Sequence, residues 1–346
     1  MKILIIGGTG LISTPLTGCL LSRGDTVTLY NRGDTVSRVR SGATLLRGDR
    51  QRYAEFENQM HRNGPFDCVI DMVGFEPEDA ESAVRAFAGR IAHYIFCSTV
   101  DVYRKPATRL PYTEEEGYGG LNSYGKKKVA CERILLAAHA RRDFAVTIIR
   151  PAYTYGPGRT LLYPVGSAAS YMDRILAGKP IIVPGDGNSL WVACHADDVA
   201  RAFSAAVGNA RVFGRVYHTT GEEWMTWNRY HEGVAEALGA PPSELVHIPT
   251  DLLLKIVPDR AAGVADNFQF NNIFDNRAAQ ADLNFRSTIS WVEGVKTVAA
   301  WLKNNPASVT PEEALLDDRI INAWRNAANV FLAGSSLNEI NVSGDR

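Results

Sequence analysis

Through the first 150 residues, short apolar runs alternate with amphipathic stretches. Six runs read as strands: KILIIGG (2–8), TVTLYNR (26–32), ATLLRGD (43–49), DCVIDMV (67–73), HYIFCST (93–99) and FAVTIIRP (144–151). Their apolar character is nearly continuous, as a parallel sheet covered on both faces requires. EDAESAVRAFAGR (78–90) and YGKKKVACERILLAAHA (124–140) carry helical spacing and serve as crossovers. The pattern predicts an α/β fold built on a doubly wound parallel sheet.

After Pro151 the texture changes. Gly- and Pro-rich loops (YGPGR, 155–159; GKPIIVPGDG, 178–187) mix with short helices and strands. The expected organisation is a Rossmann-type dinucleotide-binding domain over 1–154, to which 195–224 return. Residues 155–194 and 225–310 form a smaller, discontinuous substrate lobe. A C-terminal helix and tail occupy 311–346. GRVYHTTG (214–221) returns a strand to the first sheet, and WNRYHEGVAEALG (227–239) is an amphipathic helix ending at Gly239. PEEALLDDRIINAWRNAANVFLA (311–333) is a last helix, followed by a polar, frayed segment over 334–346.

Composition narrows the function classes. Apolar residues make up 45% and charged residues 22%, with a formal net charge of −1, an ordinary globular profile without a basic tract. Nucleic acid is therefore not an expected partner. No run approaches the roughly 18 apolar residues of a spanning helix, so no membrane partner is expected. The start MKILIIGG has no leader pattern. Five cysteines, widely spaced and without CxxC, argue for reduced thiols, against a disulfide frame and against a metal site. The expected location is cytoplasmic.

IIGGTGLIS (5–13) follows the first strand and opens a helix. Gly7 supplies the tight turn. Gly10 lets backbone N–H groups approach a pyrophosphate at the positive helix end, with Thr9, Leu11 and Ile12 in the same turn. Ser13 stands where a third glycine is expected and implies a wider helix–strand fit. The second strand ends LYNRG. Asn31 replaces the carboxylate that would bind the ribose of NAD, and Arg32 supplies a cation for a 2′-phosphate, so NADP is favoured modestly over NAD. Asp49 could accept from the adenine amino group or cap a turn.

CSTVDVY (97–103) ends the fifth strand at the ligand-binding edge of the sheet and offers the Thr99 hydroxyl. Tyr124 starts the next long helix. Lys128, four residues on, shares its face, and Lys127 at i+3 is a rival. A free tyrosine has a pKa of about 10. A nearby ammonium would favour the phenolate. Tyr124 could then take a proton from a substrate hydroxyl as hydride leaves for a nicotinamide.

With GGTGLIS, CSTVDVY, SYGKK, RPAYTYGPG (150–158) and GDGNSLWVACHADDVARAF (185–203), the chain resembles the extended short-chain dehydrogenase/reductase family, the NAD-dependent epimerase/dehydratase group, over roughly residues 1–300. The resemblance implies that Thr99, Tyr124 and Lys128 are the catalytic triad. It implies that Val73 and Gly74 line the cofactor, that Pro151 and Tyr153 flank the nicotinamide end, and that His195 and Asp198 are structural. Two departures stand out. Val100 and Asp101 replace the family's Asp–Glu dehydration pair, so sugar-nucleotide dehydration is not expected; Asp101 could still serve as an acid or face solvent. Trp191 replaces an arginine that contacts a diphosphate, and could stack on a sugar ring or sit in the core between lobes. Arg159, Arg174 and Arg277 are substitute clamps to consider. The expected activity is hydride removal from and return to a carbinol carbon of a sugar-like substrate, with epimerisation. Alternatives are an NADPH-dependent ketone reductase and a non-catalytic nucleotide- or RNA-binding family member. A homodimer is a possible assembly.

Overall fold

A computed structural model describes residues 1–34 and 40–334; the expected frayed tail lies outside them, apart from Gly334. Seven strands form the central sheet: β1 (Lys2–Ile6), β2 (Thr26–Asn31), β3 (Thr44–Arg47), β4 (Cys68–Asp71), β5 (His93–Cys97), β6 (Ala145–Pro151) and, from further along the chain, β10 (Arg215–Thr219). Their order is β3-β2-β1-β4-β5-β6-β10, and every pairing is parallel. The predicted doubly wound sheet and the returning strand are both present.

Alternation along each strand sends residues to opposite faces. Ile3, Ile5, Val27, Ile70 and Ile95 meet α1 (Ser13–Ser22), α6 (Ala196–Ala206) and α10 (Arg277–Leu283) through Leu16, Phe203 and Leu283. Leu4, Ile6, Val69, Tyr94 and Ile148 meet α2 (Tyr53–Asn63), α3 (Pro77–Phe87) and α4 (Ser123–Ala140) through Phe56, Phe87 and Leu135. Both faces are covered, which explains the uninterrupted apolar runs. The observed strands are shorter than the runs that signal them: Ser98–Thr99 and Gly48–Asp49 leave the ladder to form the loops at its carboxyl edge.

The second lobe contains the sheet β7 (Tyr153–Tyr155), β9 (Leu190–His195) and β11 (Trp224–Thr226), and the pair β8 (Ile181–Pro184) and β12 (Leu245–Ile248). Around them lie α5 (Tyr171–Leu176), α7 (Trp227–Leu238), α8 (Thr250–Ile256), α9 (Pro258–Gly263), α11 (Trp291–Asn304) and α12 (Pro311–Gly334). Its core is aromatic, with Tyr230 stacked on Trp291 at 4.4 Å and Trp191 on Trp227 at 4.7 Å. Helix α7 ends at Gly239, whose φ of 64° is the left-handed cap read from the sequence. Among the described residues no helix is long and apolar enough to cross a membrane.

Candidate active site

Two cavities open at the carboxyl edge of the sheet. The first, about 360 Å³, is lined by Gly7, Thr9 and Gly10 after β1, Asn31 and Arg32 after β2, Asp49 and Arg50 after β3, and Val73 after β4. Gly7 has φ +84°, and a Cβ there would run into Val73. Ser13 does not loosen this turn. Its hydroxyl accepts from Gly10 N at 2.8 Å and donates to Gly7 O at 2.7 Å, so the side chain knits the loop. The Gly10 N–H is thereby occupied. Ile12 provides no side-chain cap for α1, Thr14 N already donates to Gly10 O at 3.1 Å, and Pro15 has no N–H to offer.

At the rim, Arg32 is 71% exposed and faces Asp34 at 3.3 Å, an acid that the reading of the sequence passed over. Asn31 Nδ2 is buried without a partner. Asp49 Oδ1 caps the Gln51 N–H at 3.0 Å. The glycine cradle and the unpartnered donors fit a dinucleotide, which would supply both phosphates and hydrogen-bond acceptors.

The second cavity, about 570 Å³, is lined by Thr99, Asp101, Tyr124, Tyr153, Arg159 and Trp191, together with Asn122, Asn267, Phe268, Asn272 and Phe274. Asn122 caps α4 by accepting from Gly125 N at 2.7 Å, which places Tyr124 in the first turn. Gly125 has no side chain where the Asp101 carbonyl stands, so α4 approaches the end of β5 closely. Thr99 Oγ1 accepts from Asp101 N at 3.2 Å, leaving its hydroxyl hydrogen to donate elsewhere.

The two lysines separate. Lys128 is buried, and its ammonium donates to Gly74 O at 2.9 Å and Cys97 O at 2.7 Å. It lies 4.6 Å from the Phe96 ring centroid and 4.9 Å from that of Phe75, and burial lowers its pKa. Lys127 is exposed and pairs with Glu76 at 2.7 Å. One expectation is corrected: the Tyr124 phenol has its pKa raised, not lowered. Desolvation in the cavity wall is the first cause, although 38% of the residue's surface stays exposed; Cys97 and Asp101 add to it, and the Thr99 hydroxyl opposes it. Lys128 is 5.8 Å from the Tyr124 ring centroid with its bonds turned to carbonyls.

Asp101 does not merely face solvent, since Oδ1 accepts from Asn267 Nδ2 at 3.0 Å in the cavity wall. Asn267 and Asn272 both present Oδ1 to the Lys105 ammonium, which has only donors and so fixes the amides. Trp191 meets both descriptions offered for it. It is 4% exposed and stacked in the aromatic core, yet it lines the cavity with its Nε1–H unpartnered. Of the three substitute arginines only Arg159 lines the cavity. Arg174 is buried against Asp317 (3.5 Å) and Asp318 (2.6 Å), and Arg277 pairs with Asp275 at 2.5 Å. Pro151 ends β6 and lines neither cavity. His195 caps α6, and Asp198 accepts from Thr288 N (3.0 Å) and Ile289 N (3.1 Å), tying that helix to the second lobe.

A parallel sheet with a glycine turn after β1 and a Thr/Tyr/Lys constellation beyond β5 defines a dinucleotide-dependent oxidoreductase scaffold. Residues 3–218 match the NAD dependent epimerase/dehydratase family, and the chain belongs to that family. It is 32% identical to the chloroplast stem-loop binding protein of 41 kDa b from Arabidopsis thaliana, over 71% of this chain and 65% of that protein. It is 26% identical to 2′-dehydrokanamycin reductase from Streptomyces kanamyceticus, over 80% of this chain and 77% of that one. UDP-glucose 4-epimerase from Thermotoga maritima shares the fold, with a TM-score of 0.70 and 21% identity over 88% of this chain and 99% of that one. Several solved proteins of this fold hold NAD.

Proposed function

We propose that this protein is an NAD(P)-dependent oxidoreductase of the epimerase type, moving hydride at a carbinol carbon of a sugar-like substrate. The observation that supports it most is the meeting of Thr99 and Tyr124 on one cavity wall, with buried Lys128 one turn along the same helix. The bound dinucleotide supplies the hydride acceptor and donor. Thr99 donates to the substrate oxygen. Tyr124 exchanges that oxygen's proton. Two of the three Lys128 N–H groups hold carbonyls, and the third is left for the cofactor ribose. The Tyr124 phenol is protonated at neutral pH, so it meets a substrate oxygen as the acid form and returns to that form after each exchange. The narrower ketone-reductase reading is supported by the 2′-dehydrokanamycin reductase relative.

NADP is the preferred cofactor in this reading, because Arg32 is exposed at the rim where Asn31 removes the usual acid. The substrate lacks a nucleoside diphosphate. Trp191 offers an apolar face and one N–H, and among the described residues Arg159 is the one lysine or arginine in the cavity lining. Reduced thiols support a cytoplasmic setting. Light scattering would test the homodimer.

The test loads the protein with NADPH or NADP and screens keto-glycosides, free sugars and UDP-, GDP- and dTDP-sugars by thermal shift and nicotinamide absorbance. Tyr124→Phe should abolish turnover of any accepted compound and leave dinucleotide binding unchanged; turnover within a few-fold of wild type would sink the assignment. Micromolar affinity for a nucleotide sugar would overturn the substrate class and point to Arg159.

A second reading, RNA binding, is favoured by the stem-loop binding relative alone. Filter binding of stem-loop RNA against salt tests it. A steep salt dependence with submicromolar affinity at physiological salt would support it, and the net charge of −1 makes weak binding the expected result.

A further inference from the structure

Lys128 lines neither cavity, yet its neighbours line both: Phe75 the first and Tyr124 the second. Those two rings face each other at a centroid separation of 6.4 Å. The Lys128 ammonium lies 4.9 Å from the Phe75 centroid, 4.6 Å from that of Phe96 and 5.8 Å from that of Tyr124. Only 1% of the residue is exposed. With two N–H groups given to Gly74 O and Cys97 O, the third cannot reach a ligand in either cavity until one of the rings gives way.

The three rings are not equally free. Phe96 is 1% exposed and belongs to β5, packed in the sheet core. Tyr124 stands in the first turn of α4, on the side of the second cavity. Phe75 is 45% exposed, on the side of the dinucleotide groove. Its backbone is pinned. The Phe75 N–H donates to Asp79 Oδ2 at 2.9 Å, and the preceding carbonyl, Gly74 O, is one that Lys128 holds. The ring alone can move, by rotation about its own side-chain bonds, and an exposed side chain changes rotamer in picoseconds to nanoseconds.

The attraction between the ammonium and the ring face keeps the cover in place while the groove is empty. That attraction is modest at a half-exposed site, so a better partner can replace it. A ribose hydroxyl is such a partner, because its oxygen accepts directly from the third N–H. We propose that Phe75 is a gate over Lys128: its ring covers the ammonium in the empty groove, and the nicotinamide-side ribose of the dinucleotide displaces it and takes the third N–H. This rests on the reading of Lys128 as the residue that holds the cofactor ribose. Phe75 is a positioning residue in that scheme, acting through Lys128 rather than on the reacting atoms.

The test is reductive methylation of the full chain with formaldehyde and a borane, with Lys127 and Lys128 read separately by tandem mass spectrometry. In the wild type the exposed Lys127 should react and Lys128 should resist. Phe75→Ala should speed the reaction of Lys128 by several-fold or more while Lys127 keeps its rate, which also reports that α4 is undisturbed. In that variant ADP-ribose, which carries the second ribose, should protect Lys128, and ADP, which lacks it, should leave Lys128 open. Calorimetric titration gives an independent arm: ADP-ribose should bind Phe75→Ala several-fold more tightly than the wild type, with ADP unchanged. A wild-type rate for Lys128 in Phe75→Ala would overturn the gate. So would weaker ADP-ribose binding by that variant, which would make the ring a platform for the cofactor. Protection by ADP equal to that by ADP-ribose would overturn the ribose contact. Failure of NAD, NADP and ADP-ribose to bind at all would overturn the cofactor reading and the displacement with it, while the labelling rates would still decide whether Phe75 is the cover.

Discussion

The two cavities at the sheet edge are built on opposite principles. The dinucleotide groove is assembled from consecutive strand ends, β1 to β4, and its wall carries polar atoms still lacking partners. The substrate cavity draws on five separate segments between Thr99 and Phe274 and sets aromatic rings, Tyr124, Tyr153, Trp191, Phe268 and Phe274, among polar side chains. In the first, hydrogen bonds and charge read the ligand. In the second, ring faces and a few fixed amides read it. The glycine turn and the strand-end residues of the first cavity leave a trace in short motifs; the scattered segments of the second do not.

The comparison breaks most sharply at the junction of the cavities. Lys128→Met should cut turnover by about a hundredfold or more and leave its carbonyl partners unpaired, whereas Lys127→Met, losing only a surface pair, should change turnover little. Equal losses from the two variants would contradict the separation of the lysines. Arg32→Ala comes next: removing one charged hydrogen-bonding partner, worth about 1.5–3 kcal/mol, should weaken NADP binding roughly tenfold to a hundredfold and NAD binding little. Titration of both cofactors checks it, and parallel losses would remove Arg32 as the phosphate reader.

In the second cavity, Trp191→Phe keeps a ring but removes the N–H. The expected effect is a rise in substrate KM of a few-fold, from a neutral hydrogen bond of about 0.5–1.5 kcal/mol, with unchanged dinucleotide affinity. An unaltered KM would return Trp191 to the core alone. An effect on stability, and none expected on cofactor binding, concerns Lys105, whose pKa burial lowers from 10.5 to about 8 against the opposing Asp101 charge. Between those values the unfolded state's Lys105 binds more protons than the folded state's, so the contribution of this group to stability should rise with pH from about 8 to 10.5. In denaturant titrations across that range the wild type should gain stability relative to Lys105→Met as pH rises, and a constant difference would contradict the lowered pKa.

The strand runs, the glycine turn and Gly239 as a helix cap were legible, because each depends on neighbours within a few residues; the set Thr99, Tyr124 and Lys128 came from the family resemblance, since Thr99 and Tyr124 are far apart in the chain. Lys127 and Lys128 were not separable by spacing, since both i+3 and i+4 share a face with Tyr124; packing against Phe75 and Phe96 buried one and not the other. Ser13 read as a looser fit, because its clasp on Gly7 and Gly10 exists only once the turn closes. Phe75 carried no sequence signal at all; nothing in the chain order says that its ring will stand over the Lys128 ammonium.

By itself, then, the sequence determined the doubly wound sheet and the turns at its edge, because hydrophobic periodicity and turn residues act locally. Only the tertiary structure decided which polar groups lost their water. That loss raised the Tyr124 phenol, lowered Lys105 and left Arg50 with idle donors. Desolvation depends on everything packed around a group, from any distance along the chain.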